Sequence, residues 1–235
     1  KDKIDASAAE FETTPLVKPT GFREYDARWL FPQEINLMGI QALGFGLGNV
    51  LYDLVGSDKT PAIVVGHDYR SYSQSIKLAL INGLTSAGVA VHDIGLALSP
   101  TAYFAQFDLD IPAVAMVTAS HNENGWTGVK MGAARPLTFG PDEMDKLRDM
   151  VLANKGVARE GGSYRFVAGM AERYKADLST RAPLGRKIKA VVACGNGTAG
   201  AFAPNVLSAI GVEVIPLHCD LDHSFPNHNP NPEDM

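Results

Sequence analysis

The strongest constraint on this chain is a series of short, wholly apolar runs separated by segments of helical periodicity. Ala62-Ile63-Val64-Val65 lies between Pro61 and Gly66, and Ala113-Val114-Ala115-Met116-Val117 repeats the pattern fifty residues on. A strand that is apolar at every position is buried on both faces, which requires layers above and below its sheet. Residues 89–94, 189–194 and 212–217 read as further strands. Helical spacing is read over residues 35–55, 71–87, 100–107, 141–153, 164–178 and 201–209. Gly88 ends the second of these helices, Ser99 is the expected N-cap of the third with Pro100 at its first turn, and Pro141-Asp142-Glu143 gives the fourth an acidic start. Buried strands alternating with helices predict an α/β fold. The expected sheet is mixed or mostly parallel and sandwiched by helices, with one complete domain and most of a second, similar one.

The expected division is a polar N-terminal arm over residues 1–20, a first domain over 21–160 and a second over 161–235. The arm, with Pro15 and Pro19, is expected to be extended or poorly ordered. The second unit holds a single βαβ and then runs into turn chemistry at Ser224-Phe225-Pro226-Asn227-His228-Asn229-Pro230-Asn231-Pro232.

Composition narrows the function classes. The 235 residues are 46% hydrophobic and 20% charged, with a net charge of −5. That is the makeup of a globular protein, and it lacks the basic stripe of a dedicated nucleic-acid binder. Two cysteines, Cys194 and Cys219, make no disulfide framework and are expected as free buried thiols in a reducing cytoplasm. No apolar stretch opens the sequence, and no run reaches the ~18 residues of a membrane-crossing helix, so neither leader nor membrane is expected.

Chemistry concentrates after the third predicted strand, at Thr118-Ala119-Ser120-His121-Asn122. The crevice at the carboxyl ends of parallel strands is where open α/β sheets bind ligands. Gly125, Gly128 and Gly132 follow, and Lys130 is a cation suited to a phosphate. Ser120 is a candidate nucleophile or phosphate carrier, and an ordinary polar turn is the alternative. A Ser–His hydrolytic pair is disfavoured, because neighbours in extended chain point to opposite faces.

The segment Thr118-Ala119-Ser120-His121-Asn122 with Gly128 and Lys130 resembles the phosphoserine loop of the α-D-phosphohexomutase superfamily, the phosphomannomutases and phosphoglucomutases. Phe22-Arg23-Glu24-Tyr25-Asp26-Ala27-Arg28, Gly66-His67-Asp68-Tyr69-Arg70, Gly195-Asn196-Gly197-Thr198-Ala199-Gly200 and the Phe225 to Asp234 segment resemble further motifs of the family, in family order. The resemblance implies phosphotransfer between hexose 1-phosphate and hexose 6-phosphate, of mannose or glucose, through a phosphoserine and a hexose 1,6-bisphosphate. Catalysis of that kind rests mainly on positioning and charge stabilisation. It further implies that Ser120 carries the phosphate and contacts Mg²⁺ through it. Tyr25, Arg28 and Lys130 would line the transferring group, and His121 would stabilise it or exchange protons. Trp29, Glu123 and Thr127 depart from the family pattern, and the acidic metal loop is absent. The chain is therefore expected to be the N-terminal portion of a four-domain cytoplasmic enzyme, inactive without its C-terminal domains.

Rival readings attach to other residues. The 195–200 turn also fits G-x-G-x-x-G, with Asp220 about 20 residues on, the spacing of a dinucleotide-binding oxidoreductase. A non-catalytic binding protein on the same fold is the third class. His218, Cys219, His223 and His228 match no standard zinc spacing and are expected in a solvated loop. Arg70 reads either as a phosphate ligand or as a surface ion pair.

Overall fold

In the computed structural model, which describes residues 3–56, 59–180 and 184–234, two sheets form. The first has six strands: β1 (Ala27–Leu30), β2 (Ala62–His67), β3 (Ala90–Leu96), β4 (Ala113–Val117), β5 (Trp126–Gly132) and β6 (Ser163–Phe166), in the order β1-β5-β4-β2-β3-β6. Strands β4, β2, β3 and β6 run parallel, while β5 is antiparallel to both β4 and β1. The sheet is thus mixed. The second is a parallel pair, β7 (Ile188–Ala193) and β8 (Val212–Leu217).

The all-apolar strands do face two layers. Ile63 and Val65 of β2 and Ala115 and Val117 of β4 point into a core with Leu43 and Leu47 of α2 (Leu37–Val55) and Leu80 and Leu84 of α3 (Ser73–Ser86). Met144 and Leu147 of α5 (Pro141–Leu152) close that layer. The alternate residues Val64, Val114 and Met116 meet Ala102 and Ala105 of α4 (Ser99–Asp108) and Met170 of α6 (Met170–Ser179) on the other face. The period-2 alternation of a strand therefore supplies both cores from one run of sequence.

Glycines set the approach of α2 to α3. A Cβ at Gly44 would lie 2.1 Å from the Leu80 carbonyl oxygen, and one at Gly83 would lie 2.0 Å from that of Gln41. The two helices cross with backbone against backbone, which explains glycines that otherwise weaken the helix.

Four expectations are corrected. The N-terminal arm is docked: a short helix α1 (Glu10–Thr13) and the buried Leu16 pack beside α2, and the Asn36 side chain accepts from the amides of Leu16 (3.0 Å) and Gly39 (2.7 Å) while donating to Phe11 and Thr14. Residues 163–166 are an edge strand rather than the start of a helix, paired with β3 through Tyr164↔Val91, and α6 begins only at Met170. All four β6 residues are exposed, so the polar–aromatic alternation of Ser163-Tyr164-Arg165-Phe166 buries no face. Strands β1 and β5 are additional to those read from the sequence. Finally, Ser99 is inside α4; Leu98 precedes it, and the Thr101 hydroxyl accepts the Leu98 amide at 3.3 Å.

The helix α7 (Ala203–Ala209) follows a single 3-10 turn at Thr198–Ala201 and packs on the β7–β8 pair. Tyr174 of α6 bridges the units, 5.4 Å from the Phe104 ring and 6.4 Å from that of Phe202.

Candidate active site

Ser120 lies just past the carboxyl end of β4, exposed, with φ of +56°. That left-handed conformation is costly for a residue with a Cβ and survives only where neighbours hold it. Three sets of contacts do so. The Thr118 hydroxyl accepts the Ser120 amide at 3.0 Å, and the Ala119 carbonyl accepts the Asn122 amide at 3.0 Å. Arg70 Nη2 donates to the carbonyls of Ser120 (3.3 Å) and Asn122 (2.5 Å). From the opposite side, Arg28 Nη1 donates to the Ala119 carbonyl at 3.3 Å and to the Asn122 side chain. Two guanidinium groups from β1 and from the loop after β2 thus grip one five-residue loop.

Each arginine is itself fixed by a carboxylate. Arg28 pairs with Asp26, at 2.8 Å from Nε and 2.7 Å from Nη2. Arg70 pairs with Asp68, and both are buried, at 7% and 5% exposed. Asp68 also accepts from the hydroxyls of Ser73 (2.5 Å) and Thr118 (2.8 Å). One buried carboxylate therefore connects the start of α3, the arginine and the serine loop. Sequence reasoning left Arg70 open to a surface ion pair; burial excludes that reading. Asp68 was singled out only as part of a motif. Its hydroxyl partners lie 5 and 50 residues away, so only the β2–β4 register brings them together.

The left-handed turn also corrects the expectation for His121. Its Nδ1 lies 3.4 Å from Ser120 Oγ, because alternation of faces does not apply at positive φ. This is the long limit of a hydrogen bond, within reach of proton exchange after small movement. Ser120 and His121 open on a cavity of about 430 Å³ lined also by Arg70, Thr118, the Leu98-Ser99-Pro100 start of α4, Gly197-Thr198-Ala199 and Phe225. The loop after β7 reaches the site through Thr198, whose hydroxyl accepts the Tyr69 amide at 3.1 Å. Phe225 lies 5.8 Å from the Arg70 guanidinium.

Lys130 and Tyr25 do not line that cavity. Lys130 pairs with Met116 across β5 and β4 and lies outside the lining of the cavity. Tyr25 is 59% exposed on the turn before β1. Trp126, 5.8 Å from the Arg23 guanidinium, lines a smaller polar recess of about 230 Å³ with His121, Asn122, Glu123, Asn229, Asn231 and Glu233.

The described residues alone do not fit a Mg²⁺ site. Among them no three of His, Cys, Asp or Glu gather as ligands, whereas Mg²⁺ asks for several oxygens in octahedral order. Two glycines of the 195–200 turn pack against the chain itself. A Cβ at Gly195 would lie 2.6 Å from the His228 ring, and one at Gly200 would lie 2.0 Å from the Cys219 carbonyl oxygen. Asn196, at φ +60°, bonds the His218 and Asp220 carbonyls, so Gly195 and Gly200 serve internal packing, while Gly197 opens on the cavity beside Ser120. No described helix is long and apolar enough to cross a membrane.

Comparison with known proteins follows the same geography. Residues 19–157 match the family described as phosphoglucomutase/phosphomannomutase, alpha/beta/alpha domain I, and residues 165–235 match its alpha/beta/alpha domain II. A phosphomannomutase/phosphoglucomutase of Pseudomonas syringae pv. tomato is 31% identical over 218 residues, which cover 93% of this chain and 45% of the relative. A phosphomannomutase of Vibrio cholerae is 32% identical over 222 residues, covering 91% of the chain and 47% of the relative. The crystal structure of a phosphoglucomutase/phosphomannomutase family protein from Burkholderia thailandensis superposes with a TM-score of 0.83 at 28% identity, over 93% of this chain and 48% of that one. The chain spans about half the length of the relatives it matches. With both family domains matched in order and the fold shared, the chain belongs to the phosphoglucomutase/phosphomannomutase family.

Proposed function

We propose that this chain supplies the phosphoryl-carrying part of a phosphohexomutase acting on mannose or glucose phosphates. The observation that carries the reading is the presentation of Ser120: an exposed hydroxyl at positive φ, on a loop whose carbonyls are held by Arg28 and Arg70. Such a loop keeps its shape as phosphate comes and goes, which is what a transfer dominated by positioning requires.

In the proposed cycle a phosphoryl group on Ser120 Oγ passes to a free hydroxyl of a hexose monophosphate. The O–P bond at Ser120 breaks as the sugar O–P bond forms, and the proton of the sugar hydroxyl ends on Ser120 Oγ. His121, 3.4 Å from that oxygen, is placed to relay it. The bisphosphate then returns its other phosphoryl group by the reverse of the same step. Arg28 and Arg70 act as positioning residues, since their donors are engaged with the loop backbone and with Asn122. Lys130 and Tyr25 are assigned to the substrate only through the family resemblance. Metal ligands beyond a phosphorylated Ser120 would come from outside the described residues, as would contacts that select the sugar.

The test is transfer from labelled glucose 1,6-bisphosphate to the protein, followed by peptide mapping. Label on the peptide carrying Ser120, absent in Ser120→Ala, is the expected result. Label elsewhere, or equal labelling of the variant, would refute the assignment. No labelling of this chain, together with an unmodified Ser120 in the full-length protein from cells, would favour the non-catalytic binding protein.

A further inference from the structure

Cys194 and Cys219 lie at the carboxyl ends of neighbouring parallel strands, just past the paired residues Ala193↔Leu217. The Cys194 amide bonds the Leu217 carbonyl at 3.1 Å. The Cys219 thiol reaches back across the pair to the Val192 carbonyl at 3.2 Å, two residues before Cys194. The Cys219 side chain is one of the groups that raise the Cys194 thiol, and both residues are half-buried. Sequence composition gave only two free cysteines 25 residues apart; the strand register makes them neighbours.

We propose that Cys194 and Cys219 form a reversible intrachain disulfide, a peroxide-responsive modification site beside the loop that reaches the serine. Cys194 and Cys219 lie one and two residues past a register pair of neighbouring strands, whose spacing of about 4.8 Å falls within the roughly 4.4–6.8 Å over which a disulfide joins Cα atoms. The oxidant is a hydroperoxide. The Cys219 thiolate attacks the distal peroxide oxygen, the O–O bond breaks, and an alcohol, or water from hydrogen peroxide, leaves with a proton. Cys219 is then a sulfenic acid. The Cys194 sulfur attacks it, losing its proton, and the sulfenic oxygen departs as a second water. Two thiols are oxidised and one peroxide is reduced.

The order of roles follows from Cys194. Burial, then the Cys219 side chain, pushes its thiol up to about 11, so at neutral pH it is a poor first nucleophile and suits the resolving step. The site is set where a crosslink has consequences. Cys194 leads directly into the Gly195-Asn196 turn, and Thr198 beyond it accepts the amide of Tyr69, next to Arg70. The Cys219 carbonyl is the surface against which Gly200 packs.

The experiment is titration of this 235-residue protein with hydrogen peroxide, with thiol counting, non-reducing electrophoresis and peptide mapping. Both thiols are expected to disappear together, as one intrachain Cys194–Cys219 crosslink that dithiothreitol reverses. In Cys194→Ser, Cys219 is expected to be trapped by dimedone as a sulfenic acid. Thiols that persist, crosslinking only between chains, or oxidation to sulfinic acid without a crosslink would each overturn the proposal. The readout is independent of mutase activity, so it stands or falls apart from the role of Ser120.

Discussion

Replacing Asp68 by Ala tests the buried carboxylate that underlies the serine loop. Asp68 and Arg70 are 5% and 7% exposed, and the carboxylate also accepts from Ser73, Thr118 and the Arg70 amide (3.2 Å). Removing one partner of a buried ion pair typically costs about 3–5 kcal/mol, mostly because the other charge is left uncompensated. Here the cavity of about 430 Å³ beside Arg70 lets water approach the guanidinium, which argues for the lower end, about 3 kcal/mol. Against a domain stability of roughly 5–15 kcal/mol that is a large fraction. Chemical denaturation of D68A and of D68A/R70M, with m-values compared, measures it. The double variant removes both charges and should lose about 1–2 kcal/mol less than the two single losses summed. Hydrogen exchange should report faster opening at the Ser120 amide, whose acceptor Thr118 loses its own anchor. A cost for D68A below about 1 kcal/mol, or strict additivity with R70M, would refute the claim that this pair organises the loop.

Other predictions follow from separate features. Ser120→Gly should leave stability unchanged or raise it by up to about 1 kcal/mol, since φ of +56° suits glycine, while abolishing phosphate uptake; thermal melts and phosphate mapping check both halves. Gly44→Ala should destabilise by about 1–3 kcal/mol although alanine favours helix by about 1 kcal/mol, because its Cβ would lie 2.1 Å from the Leu80 carbonyl oxygen; urea denaturation gives the sign. Burial holds the imidazoles of His67 and His92 below their ordinary value of 6.5. The unfolded chain then binds more protons in that window, so stability is full above pH 6.5 and is lost as pH falls through the lower folded values. His67→Gln should flatten this slope in denaturation curves taken from pH 7.5 to about 5.

The helices and the central strands were legible because their signal is local. Ile63 to Val65 and Ala113 to Val117 announce burial on two faces through their composition alone, and the structure divides them between the two cores. The edge strand β6 was illegible because it is only four residues long, is exposed throughout and pairs only through β3. Strand β5 carries Gly128 and Gly132, which read as loop residues. At Gly128 a Cβ would lie 2.2 Å from the Ala27 carbonyl oxygen, so the glycine is needed for β1 to approach.

The site divides in the same way. Ser120 could be nominated from its place at the end of a strand, where an α/β sheet does chemistry, and His121 and Arg28 from the family resemblance. Their arrangement could not be, and the extended-chain argument that separated Ser120 from His121 failed at a left-handed φ. Tyr25 and Lys130 were nominated through the resemblance and do not line the cavity on which Ser120 opens. Sequence determined the central strands and the main helices, since hydrophobic period and turn chemistry act over a few residues. Only the tertiary structure decided that Arg28, Asp68, Arg70 and Ser120 converge. They are joined across separations of 50 to 94 residues by strand register, which no local pattern encodes.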